Sequence, residues 1–154
     1  MTTRLESVPN DVRALCSLPT TDYADTFESE PASYDAAAVD PTGWARKVFE
    51  AQPAPVRAIL RFGWRFPLGL HLAPAGTEGH VIGWRVSKSG PGYVVITARS
   101  RLLQAEQVFR YEDERLFQGT FVRYESGLGR RIWPLTSVIH RLVMPRLIDR
   151  ATKP

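Results

Sequence analysis

From Gly79 onward, apolar and polar residues alternate with a period of two, the pattern of half-buried strands. Val81 to Ser87, Tyr93 to Arg101, Leu103 to Tyr111 and Arg115 to Tyr124 read as four strands. Ser89, Gly90, Pro91 and Gly92 form a turn, and Glu112, Asp113 and Glu114 a charged hairpin tip. Strands at such regular, short spacing mark an antiparallel meander. An earlier strand is expected over 21–29, where Tyr23, Asp25 and Phe27 alternate with Ala24 and Thr26.

Elsewhere the period lengthens. Asp40 can cap a helix, and Pro41 suits its first position because no partner for the missing N–H is needed there. This helix is expected to reach about Ala51, with Trp44, Ala45, Val48 and Phe49 on one face. Pro53 stops it, and a second short helix follows from Ala54 to about Phe62, with Val56, Ile59, Leu60 and Gly63 inward. Glu30 to Val39 reads as a linker, and residues 64–78 as a loop with room for a short strand at 68–72. After Ser126, Gly127 and Gly129 break the sheet, Pro134 is expected to open a helix reaching about Arg150. Leu135, Val138, Ile139, Leu142, Leu147 and Ile148 would form its apolar stripe, with Arg141, Arg146 and Arg150 opposite. Pro145 should kink it, because the ring meets the carbonyl of Arg141.

Composition adds limits. At 154 residues the length suggests one domain, and a chain of that size buries about 70% of its unfolded surface without staples. Residues 1–20 read as an N-terminal arm, with a short helix near Asn10 to Cys16, and 21–154 as a single domain. The single cysteine, Cys16, excludes an internal disulfide. No secretory leader pattern and no apolar run near the roughly 20 residues of a membrane span is visible, so no membrane span and a cytoplasmic setting are expected. The first fifty residues hold four basic and nine acidic side chains, and the remainder sixteen and seven. The arginines are scattered rather than massed, so nucleic acid is not an expected partner.

The order of strand, helix pair, antiparallel meander and long terminal helix is similar to the helix-grip fold of the START and polyketide-cyclase-like (SRPBCC) superfamily. The stretches "WARKVFEAQPAPVRAILRFGWR", "HVIGWRVSKSG", "ITARSRLLQAEQVFRYEDE", "GTFVRY" and "WPLTSVIHRLVMPRLIDRA" resemble a bacterial family catalogued as domain of unknown function 2867. The resemblance spans about Trp44 to Ala151. It implies an α+β fold whose curved antiparallel sheet wraps a long C-terminal helix, with a cavity between them for lipids, polyketides or other hydrophobic molecules. That family offers no catalytic residues to carry over.

Candidate chemistry is sparse. No nucleophile elbow and no phosphate-binding loop occurs. His71, His80 and His140 are too scattered for a zinc set, so neither a metal nor another cofactor is expected. Along the strands, His80, Ile82, Trp84 and Val86 share a face, as do Tyr93, Val95, Thr97 and Arg99, and as do Leu103, Ala105, Gln107, Phe109 and Tyr111. On the last strand either Phe117, Gly119, Phe121 and Arg123 or the alternate set points inward. Arg99, Gln107 and Arg123 are polar residues among inward candidates, and buried polar groups need partners, with Asp25 or a ligand carbonyl on offer. The expectation is a hydrophobic or aromatic ligand held by Trp84, Tyr93, Arg99, Gln107, Phe109, Phe121, Arg123 and His140. One alternative is a cyclase- or hydrolase-like enzyme using His140 with Arg99 or Arg123. Another is a filled-core module whose basic terminal helix meets a protein.

Overall fold

A computed structural model describes residues 1–31 and 40–153, so most of the expected linker Glu30 to Val39 lies outside the described residues. In chain order the elements are β1 (Thr3–Arg4), α1 (Asn10–Leu15), β2 (Tyr23–Glu28), α2 (Pro41–Phe49), α3 (Ala54–Arg65), β3 (His80–Val81), β4 (Trp84–Gly90), β5 (Tyr93–Arg99), β6 (Leu103–Glu112), β7 (Arg115–Tyr124) and α4 (Gly127–Thr152). The seven strands form one curved, unclosed antiparallel sheet in the order β1-β2-β7-β6-β5-β4-β3. The long helix α4 lies against one face of it, and this is the helix-grip arrangement expected from the pattern of elements.

Local chemistry fixes the helix pair. The Asp40 carboxylate accepts the Gly43 N–H at 3.1 Å and Pro41 occupies the first turn of α2, whose Trp44, Ala45, Val48 and Phe49 are buried. The inward face expected for α3 needs correction. Val56, Leu60 and Trp64 are half-buried against the core, whereas Ile59, Phe62 and Phe66 are exposed. Gly63 sits in this helix with nothing within 4 Å of an added Cβ. Gly63→Ala is therefore expected to raise the unfolding free energy by about 1 kcal/mol, read from the urea midpoint.

The strand expected over Val81 to Ser87 is instead a hairpin. Ile82 (φ 48) and Gly83 (φ 92) make a two-residue turn between β3 and β4. A β-branched residue is strained at such an angle. Two helices hold it: Glu50 Oε1 accepts the Ile82 N–H at 2.8 Å, and Arg61 donates to the Ile82 carbonyl at 3.0 Å. Further along β4 a register shift between Val86 and Lys88 marks a bulge on the strand. Residues 68–72 form no strand. Beyond the four strands of the meander and the strand expected over 21–29, which is β2, the sheet adds the short β1 and β3.

Register sorts the side chains into two faces. On the concave face Asp25, Thr120, Gln107 and Ile96 are successive neighbours, and Phe27, Gln118, Phe109 and Val94 form the next row. The convex face carries Tyr93, Val95, Val108 and Phe121, covered by Val12 of α1. Gly119 permits that cover, since a Cβ there would lie 2.8 Å from Val12 Cγ1. Residues 1–20 are thus packed on the sheet.

Helix α4 starts seven residues earlier than expected. Ser126 caps it, its Oγ accepting the Gly129 N–H at 3.1 Å, and the helix continues through Pro134 and Pro145. Its buried side chains are Trp133, Ser137, Met144, Leu147 and Ile148, while Leu135, Val138, Ile139 and Leu142 are exposed. Of the expected stripe only Leu147 and Ile148 face inward, and Arg146 lies with the outward residues. Both ends of α4 are tied. Gly129 sits under the Leu102 carbonyl, and the Asp149 carboxylate accepts both the backbone N–H and the hydroxyl of Thr2 at 2.6 Å.

Candidate functional site

Tyr23 and Asp25 stand two residues apart on β2 and therefore point the same way, toward α4. The Asp25 side chain is fully buried. It accepts a hydrogen bond from the Tyr23 hydroxyl. His140 approaches from α4, with Nε2 at 3.1 and 3.4 Å from the two carboxylate oxygens. A carboxylate here selects the tautomer that carries its proton on Nε2 and leaves the Nδ1 lone pair outward. Among the described residues Nδ1 has no hydrogen-bond partner.

Aromatic rings enclose this cluster. Trp133 lies 5.2 Å from Tyr23 and 5.7 Å from His140 between ring centroids, and Phe27 lies 6.1 Å from His140. Beside Asp25 on the sheet, Gln118 Nε2 donates to Gln107 Oε1 at 3.0 Å and to Thr120 Oγ1 at 2.9 Å, and all three residues are buried. Three buried polar atoms on this side have no partner among the described residues: Gln118 Oε1, Trp84 Nε1 and Trp133 Nε1. Across the sheet from Tyr23 the next side chains are Val122, Ala105 and Ala98, all buried in the hydrophobic core with Met144, Leu147 and Ile148 of α4.

Burial, followed by the neighbouring Asp25 charge, pushes the Tyr23 phenol well above its ordinary value. The folded state holds the neutral phenol. Tyr23 therefore leaves folding stability unchanged below its unfolded value near 10, and takes stability away as pH climbs beyond it. In an alkaline titration followed by tyrosinate absorbance, the Tyr23 signal is expected to appear only with unfolding. Tyr23→Phe should delete it. A Tyr23 signal in the folded protein near the ordinary phenol value would contradict this burial.

The expected ligand-binding residues divide between the faces. Trp84, Gln107, Phe109 and His140 lie on the helix side. Tyr93, Arg99, Phe121 and Arg123 lie on the convex side, so they do not join His140. The reason is register: β2 places Thr120 opposite Asp25, which turns Gly119, Phe121 and Arg123 away. Phe121 packs on α1, Arg123 lies 3.7 Å from Glu125, and Arg99 is exposed. The inward set on β7 is therefore the alternate one. Strand β4 shows a related effect, because the turn at Ile82 breaks the face proposed for His80 to Val86.

Sequence reasoning missed Tyr23, Gln118, Thr120 and Trp133 as site residues, and named Asp25 only as a partner for a buried arginine or glutamine. One signal was available. An acid alternating in step with Tyr23 and Phe27 on an inward strand face must be paired.

Other features lie apart. A cleft of about 630 Å³ opens between the α2–α3 bend and the end of α4, lined by Lys47, Gln52, Pro53, Arg150 and Lys153 among others, and includes none of the expected ligand-binding residues. Burial pushes the Cys16 thiol up, away from the reactive thiolate. Among the described residues, no group of three or more His, Cys, Asp and Glu side chains is placed to hold a metal ion, and no helix is long and apolar enough to cross a membrane. No family model, no curated protein and no solved structure matches the chain.

Proposed function

We propose that the chain binds a hydrophobic or aromatic small molecule between the sheet and α4, with the polar group of that molecule at the Tyr23–Asp25–His140 cluster. One observation carries this reading: a fully buried carboxylate, oriented by a phenol and an imidazole, sits in an aromatic setting beside polar atoms that have no partner in the fold. Polar groups left unpaired inside a protein are costly, and a few placed among apolar walls are the usual means of orienting a ligand. Membership of the START and polyketide-cyclase-like superfamily, or of the family catalogued as domain of unknown function 2867, belongs to the same proposal.

Native mass spectrometry of the purified protein should reveal a co-purifying apolar molecule, or uptake of one aromatic probe per chain. His140→Leu should weaken a phenol-bearing probe by about tenfold, the equivalent of one lost hydrogen bond. It should leave the wholly apolar analogue unaffected. A folded wild-type protein that takes up neither probe ends the reading.

A second reading is favoured by the dyad itself. A carboxylate-oriented imidazole with a free ring nitrogen is the geometry of a general base. Under that reading the protein turns over aryl esters or cyclises an enolisable carbonyl compound. Turnover that survives His140→Gln would remove it.

A further inference from the structure

Helix α4 is apolar on two opposite sides, as a helix buried on both would be. Its inner side meets the sheet. Its outer side shows Leu135, Val138, Ile139 and Leu142 at helical spacing, each at least half exposed. On that same outer side Arg131 lies four residues before Leu135, and Arg146 four residues after Leu142, so an exposed guanidinium closes each end of the apolar ridge.

We propose that this ridge docks on an anionic bilayer surface, with its apolar side chains in the headgroup boundary and its arginines on lipid phosphates. Charge complementarity chooses the occupant. Helices α3 and α4 carry eight arginines and a single acid, Asp149, which Thr2 already occupies. None of the eight forms an ion pair among the described residues, whereas Arg110, Arg115 and Arg123 of the sheet do. The planar guanidinium fork matches phosphate oxygens. A second copy of the chain fits poorly, since pairing ridge to ridge would set arginine against arginine. The surface is also a convex ridge, which a fluid boundary can mould around. Exposed Ile59, Phe62 and Phe66 beside the arginines of α3 repeat the same composition on a second helix. The arrangement is that of an interfacial helix, basic and amphipathic outward. The inference stands independently of any ligand inside the fold.

Sedimentation of the full chain with vesicles tests it. Phosphatidylcholine vesicles containing about 30% phosphatidylserine should bind the protein at least about tenfold more tightly than pure phosphatidylcholine, and high salt should release it. The double variant Leu135→Glu/Ile139→Glu should lose binding while keeping its circular dichroism, because both side chains are exposed. Arg131→Ala/Arg146→Ala should weaken binding about tenfold. Three results would each overturn the proposal: no preference for anionic vesicles, binding that the glutamates leave intact, or a concentration-dependent dimer that the glutamates abolish without any vesicle binding by the wild type. If the glutamate pair perturbs the fold, Leu142→Ser supplies the same reading with a smaller change.

Discussion

Gly129→Ala is expected to lower the unfolding free energy by about 3 kcal/mol, although alanine is the better helix former. Two effects oppose each other. Propensity favours alanine by about 1 kcal/mol. Against this, an added Cβ would stand 2.1 Å from the Leu102 carbonyl oxygen and 2.9 Å from its carbon. Those atoms are backbone and cannot swing aside as a long side chain would. Relief requires the start of α4 to lift from the β5–β6 turn, and Trp133 one turn later to lift with it. Gly127→Ala is the control, because nothing lies within 4 Å of its Cβ. Urea unfolding of both variants decides the matter. Equal stability of Gly129→Ala and wild type would mean that α4 does not press on this turn.

Asp25→Ala is expected to cost a further, independent 3 kcal/mol or about that. The substitution strips the acceptor from the Tyr23 hydroxyl and from His140 Nε2, and leaves both donors facing an apolar methyl. Asp25→Asn keeps an oxygen in the same place and should cost only about 1 kcal/mol. A double-mutant cycle with His140→Ala should show a coupling of about 1 kcal/mol or more. In Asp25→Ala the Tyr23 phenol should also move back toward its ordinary value, since part of its shift comes from the Asp25 charge. Additive single effects would show that the two side chains do not meet. The same variants divide stability from binding: Asp25→Asn retains the fold while altering the charge that a ligand would encounter.

The sequence carries the strands more plainly than the faces they present. The apolar runs mark β5, β6 and β7 to within a residue or two, because turn residues bound each of them. Alternation within them is ambiguous about direction. Both faces of this sheet are covered, one by α4 and one by α1, so apolar residues occur in both registers. Phe121 and Phe109 look alike in sequence, yet they lie on opposite sides. The helix α4 misleads for a related reason. Its most obvious apolar stripe, Leu135 to Leu142, faces outward, while the buried side is built from Trp133, Ser137, His140 and Met144, a mixture that no hydrophobic period picks out. Pro134 reads as a helix start because prolines favour that position, but the Ser126 cap two turns earlier wins. The Asp25–His140 pair joins residues 115 apart in sequence, a distance that no local pattern spans.

The bulge at Val86 to Lys88 has a consequence for how this molecule keeps to itself in a crowded solution. A sheet that does not close leaves two rims of unpaired amide and carbonyl groups, the natural template for amyloid-like growth. Here β3 shields the first part of one rim, and the bulge throws the remaining amides out of line, with the Lys88 charge beside them. The opposite rim ends in a strand of only two residues. Neither offers a long, straight ladder to an incoming chain, so the open architecture needed for a gripping sheet does not carry the usual liability of runaway self-association.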